Sequence, residues 1–402
     1  MRRFPTKSAI LGIALALLVL AGPPASAGEW NGKVSLEGRI FPQSALSTDL
    51  SESNLSLAFE PEWYQEWQDG RQFFLFIPFV RLDQNDPERT HWDIRELTWQ
   101  LNARDWELRA GVRRVFWGVT ESRHLVDIIN QTDLTENLDG ETKLGQPMVN
   151  FALIRSWGTI DFFTLLGFRE RRFFGSDSRP GLAFPVDTEK SIYESGAGRS
   201  HIDGAVRWSH ALGPWDIGVS HFHGTSRDPR FLPEDRGNEI VLVPVYDLID
   251  QTGLDLQMTQ GGWLWKLEAI NRYGQRGRFY AFTGGFEYTF VNVKSTGLDL
   301  GVLAEYSFDE RGKLALTPFD NDIFFGARLA FNDVQSTQIL AGATIDRDTG
   351  ASFINVEASR RFGDSWTLDV EARTFVGVPR EDIFLHGIRK DGYIQLNWSW
   401  HF

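Results

Sequence analysis

The end of the chain alternates strictly. Across Tyr393–Phe402, Ile394, Leu396, Trp398, Trp400 and Phe402 share one parity, and Gln395, Asn397, Ser399 and His401 share the other. Successive strand side chains point to opposite faces, so this segment predicts a strand with one greasy and one wet side. The same period runs through Trp366–Arg373, where Trp366, Leu368, Val370 and Ala372 oppose Thr367, Asp369, Glu371 and Arg373. It recurs in Phe279–Phe290, Leu298–Ser307 and His201–Ser209. Eighteen such segments are read. They begin near Asn31, Glu52, Arg71, Thr90, Asp105, Met148, Thr159, Ser200, Pro214, Asp247, Gly262, Arg278, Gly297, Asn321, Thr337, Ala351, Ser365 and Gly392. The count falls to sixteen if Phe73–Val80, apolar on both faces, and Asp247–Gln260 drop out.

Connection lengths sort these strands. Counted back from the last strand, every second connection is short: Gly363-Asp364, Asp333–Ser336, Val291–Thr296, Gly261, Ala211–Gly213, Gly158, Arg104 and Asp69-Gly70. The long ones, Phe41–Leu50, Trp117–Pro147, Glu170–Arg199, Gly224–Tyr246, Arg311–Asp320 and Gly377–Arg389, fall on the other side. An even strand number with short turns at one end and long loops at the other is the pattern of a membrane barrel. The expected fold is therefore an all-β, transmembrane, antiparallel barrel of about 18 strands, with outer-membrane lipid around it. A soluble sandwich shows similar alternation, but the aromatic residues concentrated on one strand face fit lipid better.

Composition sharpens this. Trp (15) and Phe (31) are abundant, Met (3) is scarce, and there is no Cys, which excludes disulfides and thiol chemistry. No run of apolar residues in the body of the chain is long enough for a membrane helix. Arg2, Arg3 and Lys7 precede an apolar stretch and Ala25-Ser26-Ala27, the layout of a secretory signal peptide over residues 1–27. Residues 28–402 then form one barrel domain. The net charge is −13, and removing three leader cations makes it more negative, which argues against nucleic acid. Phe402 resembles the terminal aromatic that the barrel assembly machinery of Gram-negative outer membranes recognises.

Trp117–Pro147, the third outer loop by the strand count, holds the candidate chemistry. Leu125, Val126, Ile128 and Ile129 have no reason to sit in an exposed loop, and burying them against the inner wall folds the loop into the lumen. The strand Arg109–Phe116, the Trp117-Gly118 pair and the later Asp127, Asn130 and Asp133 resemble porin-like outer-membrane proteins of unassigned substrate. In these a strand ending in Trp-Gly enters an Asn-x-x-Asp loop. The resemblance implies a channel or transporter and names no cargo.

Charge suggests a mechanism. The loop carries Glu121, Asp127, Asp133, Glu136, Asp139 and Glu141 against Arg123 and Lys143, while nearby strands and loops carry Arg109, Arg113, Arg114, Arg155, Arg169, Arg171 and Arg172. Facing one another across a constriction, they set up a field that selects ions. Paired directly, they pin the loop. The constriction candidates are Arg109, Arg113, Arg114, Trp117, Glu121, Arg123, His124, Asp127, Asn130, Asp133 and Arg155.

The expected function is passive diffusion of small solutes, with selectivity set by the charged inward loop. The alternatives are passage of an apolar or lipid-like compound along Trp117, Leu125, Ile128 and Ile129, a surface receptor, or a barrel enzyme. No cofactor is expected. His221 and His223 share a strand face near His201 and His210, but no third ligand has recognisable spacing, so no metal is expected. Ser122 and His124 lie on one face without a recognisable triad, so no enzyme is expected. Homo-oligomerisation is left open.

Overall fold

The structure is a computed structural model that describes residues 28–402 apart from 48, 238 and 316. The signal-peptide reading of residues 1–27 lies outside the described residues. The first strands are β1 (Glu29–Ile40), β2 (Ser53–Trp67), β3 (Gln72–Asp83), β4 (His91–Asn102), β5 (Trp106–Arg113), β6 (Gln146–Arg155) and β7 (Gly158–Leu166). Then come β8 (Ile192–Tyr193), β9 (Ile202–Leu212), β10 (Trp215–Thr225), β11 (Arg230–Asp235), β12 (Ile240–Tyr246), β13 (Leu248–Gln260) and β14 (Trp263–Gly274). The chain ends with β15 (Gly277–Phe290), β16 (Asp299–Asp309), β17 (Asn321–Ala330), β18 (Gln338–Asp346), β19 (Ser352–Phe362), β20 (Trp366–Val376), the short helix α1 (Ile383–Ile388) and β21 (Tyr393–His401).

All of these strands except β8, β11 and β12 form one 18-stranded antiparallel sheet. It closes on itself. Leu36 of β1 pairs with Leu57 of β2 on one side and with Trp398 of β21 on the other, so no edge strand remains. Both doubtful segments are strands. β3 bends by a register shift between Ile77 and Pro78, which accommodates the proline's missing N–H.

The alternation sorts as the sequence requires. On β21, Leu396 and Trp400 face out, while Ser399 is buried and its hydroxyl bonds that of Ser35 at 2.7 Å. Aromatic rings gather at the end carrying the short turns: Trp263 stacks on Trp265 with centroids 5.3 Å apart, and Trp366 lies 5.6 Å from Trp398. A closed barrel with an apolar exterior and an aromatic girdle is built for the outer membrane.

Two elements depart from the sequence reading. The long connection before β13, expected as a plain outer loop, carries the β11–β12 hairpin, and β12 also pairs in parallel with β8. Val241, Val243, Val245 and Tyr246 are buried there. Helix α1 sits in the last outer connection, with Asp382 accepting the Leu385 N–H at its start.

Candidate functional site

The apolar core of the molecule lies inside the barrel. The connection between β5 and β6 (residues 114–145, here loop L3) places Trp117, Leu125, Val126, Ile128 and Ile129 against inward-facing Met148, Phe163, Leu165, Ala205, Phe222, Ile249, Ile270, Phe279 and Ala281. Ile129 and Val126 are fully buried. Each such side chain contributes about 1.5–3 kcal/mol of burial free energy. Trp117 meets Phe163 edge-on at 5.6 Å, and Arg207 lies 5.2 Å from its ring centroid. L3 thus packs against the β6–β15 side of the lumen.

Wall carboxylates hold its polar backbone. Glu268 on β14 accepts hydrogen bonds from the N–H groups of Val119 (2.7 Å), Thr120 (3.0 Å) and Val126 (3.1 Å), and from the Thr120 hydroxyl (2.7 Å). Glu305 on β16 accepts from the N–H groups of Glu121 and Ser122, both at 2.8 Å, and from the Ser122 hydroxyl at 2.6 Å. These are charge-assisted bonds in a place with little water, and they satisfy amides that an inward loop would otherwise orphan. Gly118 explains the Trp-Gly pair. It has φ +146°, and a Cβ there would lie 2.8 Å from His124 Nδ1 and 3.0 Å from Glu268 Oε1.

The other end of L3 is bound by arginines. Arg81 donates to both oxygens of Glu136 and to Glu37. Arg89, one of the most buried side chains, pairs with Glu37 and Asp83 and donates to Thr135 O. Arg39 donates to Glu136 O. Further round, Arg373 on β20 holds Asn137 Oδ1 and Asp139.

The sequence candidates divide by role. Asn130 staples the loop's stem: its Oδ1 accepts from Val115 N–H, and its Nδ2 donates to Arg113 O and Leu144 O. Asp133 accepts from the Thr135 hydroxyl at 2.6 Å and lies 3.5 Å from Arg95. Burial opposes its charge, but His91, Arg95 and Thr135 outweigh that and hold its pKa down to about 2. Asp127 accepts from Trp117 N–H and sits 3.1 Å from Lys143, while burial pushes its carboxyl up. The Asn-x-x-Asp motif thus builds the loop rather than facing water.

Arg109, Arg113 and Arg114 stay on the wall. Arg109 donates to Gln100, Glu107 and Asn150, Arg113 donates to Asn150, and Arg114 lies 3.9 Å from Glu96. The loop's acids are matched elsewhere, so the two sets do not face each other. Arg155 bonds Asp105 and its backbone O near the short turns, at the opposite end from L3, because β6 runs its full length between them. It is no part of a constriction. Arg123 donates to Phe319 O and lies 3.4 Å from Asp309. Ser122 Oγ is given to Glu305 rather than to His124.

Two candidates remain on the open side. Glu121 lies 2.9 Å from Arg328 and 3.6 Å from Lys266. His124 lies 3.2 Å from Glu141 and 3.6 Å from Glu268. Burial opposes its charge, but the two carboxylates prevail and hold its pKa up to about 10.

Among the described residues, no hydrogen bond or ion pair joins L3 to β18 or β19. L3 is tied to the strands on either side of these two, through Glu121 to Arg328 of β17 and through Asn137 and Asp139 to Glu371 and Arg373 of β20. Glu121, His124, Asp139 and Glu141 lie on this side of the loop, Arg328, Glu357 and Arg373 lie on β17, β19 and β20, and Glu287 of β15 stands beside Arg328. Exposure varies among them: the Arg328 side chain is 34% exposed, more than Glu121, Asp139 and Glu287. Glu141 and Glu357 side chains are 52% and 45% exposed, whereas Arg373 is 1% exposed beneath Asp139, Glu357 and Glu371.

Sequence reasoning missed Glu268, Glu305, Glu357, Arg373 and the cluster of Glu37, Arg39, Arg81, Arg89 and Arg95. Their one signal is a charge at an inward strand position, which a water-filled lumen produces everywhere. His91 Nε2 also comes within 3.6 Å of Asp133 and 3.4 Å of Glu136. A cation there would compete with Arg81, already bonded to both Glu136 oxygens, and with Arg95.

No family model and no curated protein matches the sequence. Solved structures do match the barrel. A BenF-like porin from Pseudomonas fluorescens Pf-5 is similar with a TM-score of 0.55 at 11% identity, covering 94% of this chain and 98% of that one. OccAB3 of Acinetobacter baumannii gives 0.54 at 9%, covering 93% and 99%. OccK5 (OpdH) of Pseudomonas aeruginosa gives 0.50 at 10%, covering 93% and 98%. The likeness is one of fold.

Proposed function

We propose that this protein is an outer-membrane channel through which small polar solutes diffuse, and that L3 sets its selectivity. The observation behind this reading is that, among the described residues, no hydrogen bond or ion pair joins L3 to β18 or β19; a passage on that side would run beside the exposed carboxylates of Glu141 and Glu357. At this strand number a barrel has room for an aqueous channel. L3 narrows it by packing one side of the lumen, and its tethers keep the remaining gap fixed. The similar fold of solved porins agrees with this reading.

The charge of the gap favours cations. Carboxylates in a low-dielectric constriction raise the local concentration of positive solutes, and rings of acidic side chains are a common cation filter. Arg328 and His124 soften the field without reversing it. The apolar-cargo alternative loses its support because Trp117, Leu125, Ile128 and Ile129 are consumed by the core rather than lining a path.

Liposome swelling tests the function. Vesicles carrying the purified protein should admit small sugars and amino acids quickly, and cationic amino acids faster than anionic ones of equal size. Swelling no faster than in empty vesicles would refute the channel.

A further inference from the structure

The lipid-facing wall carries a polar island that diffusion through the lumen does not use. Inward positions on β10 are Ser220 and Phe222, both buried, so His221 and His223 point outward. Their side chains are 50% and 60% exposed. Register extends the island across three further strands. His221 stands beside Thr252, Asn271 and Tyr280, and His223 beside Asp250, Tyr273 and Arg278. His223 Nδ1 bonds Asp250 at 2.8 Å, and His221 Nδ1 bonds the Thr252 hydroxyl at 3.0 Å. Arg278 donates to Asn271 and lies 5.3 Å over the Tyr273 ring.

Tyr273 and Arg278 lie next to the β14–β15 turn, and the histidine end of the island lies within the apolar band. Val219, Leu254, Ala269 and Phe282 flank it towards the short turns, and outward-facing Ile202 and Leu248 lie beyond it towards the long loops. His221 is six positions along β10 from exposed Trp215, at the short-turn end. At ~3.4 Å per residue and a tilt of about 40°, that is roughly 15 Å up a band ~25 Å tall. Ionisable groups at such positions are costly against hydrocarbon, so something polar covers them.

Charge identifies the cover. Arg276, in the turn between β14 and β15, has no hydrogen bond or ion pair among the described residues, and Arg278 stands two residues on. Of the nearby carboxylates, Asp250 is held by His223, and Glu310 accepts the Tyr280 N–H at 3.0 Å. Above the band, then, two exposed guanidiniums are available to an anion. Below them, His221 Nε2 lies 3.9 Å from Asp250, and neither it nor His223 Nε2 makes a hydrogen bond among the described residues. We propose that this face seats a phosphorylated, multiply acylated lipid of the outer leaflet. Its phosphate meets Arg276 and Arg278, the tyrosine hydroxyls of Tyr273 and Tyr280 lie at headgroup level, and its acyl-linkage carbonyls and hydroxyls reach the two histidines. Basic clusters at a membrane edge recognise phosphorylated headgroups in this way.

The test is native mass spectrometry of the detergent-purified full chain titrated with lipid A, with dephosphorylated lipid A alongside. The parent should retain one lipid A and hold the dephosphorylated form at least tenfold more weakly. Arg276→Ala with Arg278→Ala should abolish the preference, and His221→Leu with His223→Leu should weaken both lipids. Arg361→Ala, at the far end of the barrel, should change nothing. Equal retention by the parent and both double variants overturns the proposal. So does a stable dimer or trimer cross-linked through His221→Cys, which would make a second copy the cover.

Discussion

Glu268 Oε1 receives both the backbone N–H of Thr120, at 3.0 Å, and the Thr120 hydroxyl, at 2.7 Å. The two residues are 148 positions apart, and this contact fixes one end of L3 to the far wall. Glu268→Ala would leave the Val119, Thr120 and Val126 amides without their acceptor. Buried donors left unpaired cost about 1–3 kcal/mol each. Backbone hydrogen exchange across residues 118–126 should therefore speed up by at least tenfold, while exchange in the barrel strands stays unchanged.

Glu136 is the second anchor. Glu136→Gln keeps the volume but leaves Arg81 without its bidentate partner beside Arg89 and Arg39. Breaking one side of a buried pair costs about 3–5 kcal/mol. The folded barrel should unfold at a lower temperature, read as the heat-dependent shift on a denaturing gel.

The apolar anchor makes a separate prediction. Ile129→Asp buries a charge at a fully enclosed position, which the loop avoids only by leaving the wall. Single-channel conductance should rise and become noisy. A trace identical to the parent's would mean that L3 does not limit the passage.

His124 gives the pH dependence. Its folded pKa, about 10, is above the ordinary value near 6.5 because Glu141 and Glu268 outweigh burial. A raised pKa contributes stability that is complete below about 6.5 and is lost as pH rises through about 10. The same step removes a positive charge from the gap. Between pH 8 and 11, L3 should loosen and cation preference should increase. In His124→Gln both trends should disappear.

The barrel was legible because lipid and lumen impose one rule on every spanning strand. Each of the eighteen strands begins within two residues of the position the alternation predicts. The inward loop was legible from Leu125, Val126, Ile128 and Ile129, since greasy residues must find cover. The β11–β12 hairpin was not. Ile240–Tyr246 is buried along nearly its whole length between loops, so it shows no alternation, and Pro244 masks it further. The roles of the site residues were least legible. Asp133 and Glu141 look alike in sequence, but one is sealed beside Arg95 and the other faces water. That difference arises from how L3 doubles back, and pairing across more than a hundred residues leaves no local trace.

The carboxylate-edged gap is tested most directly by the zero-current potential of the purified protein in a planar bilayer under a potassium chloride gradient. The sign should report preference for potassium, and Glu141→Lys with Glu357→Lys should drive it through zero to chloride preference. A chloride-selective parent, or a double variant with an unchanged potential, would contradict the assignment of the passage to this side of L3.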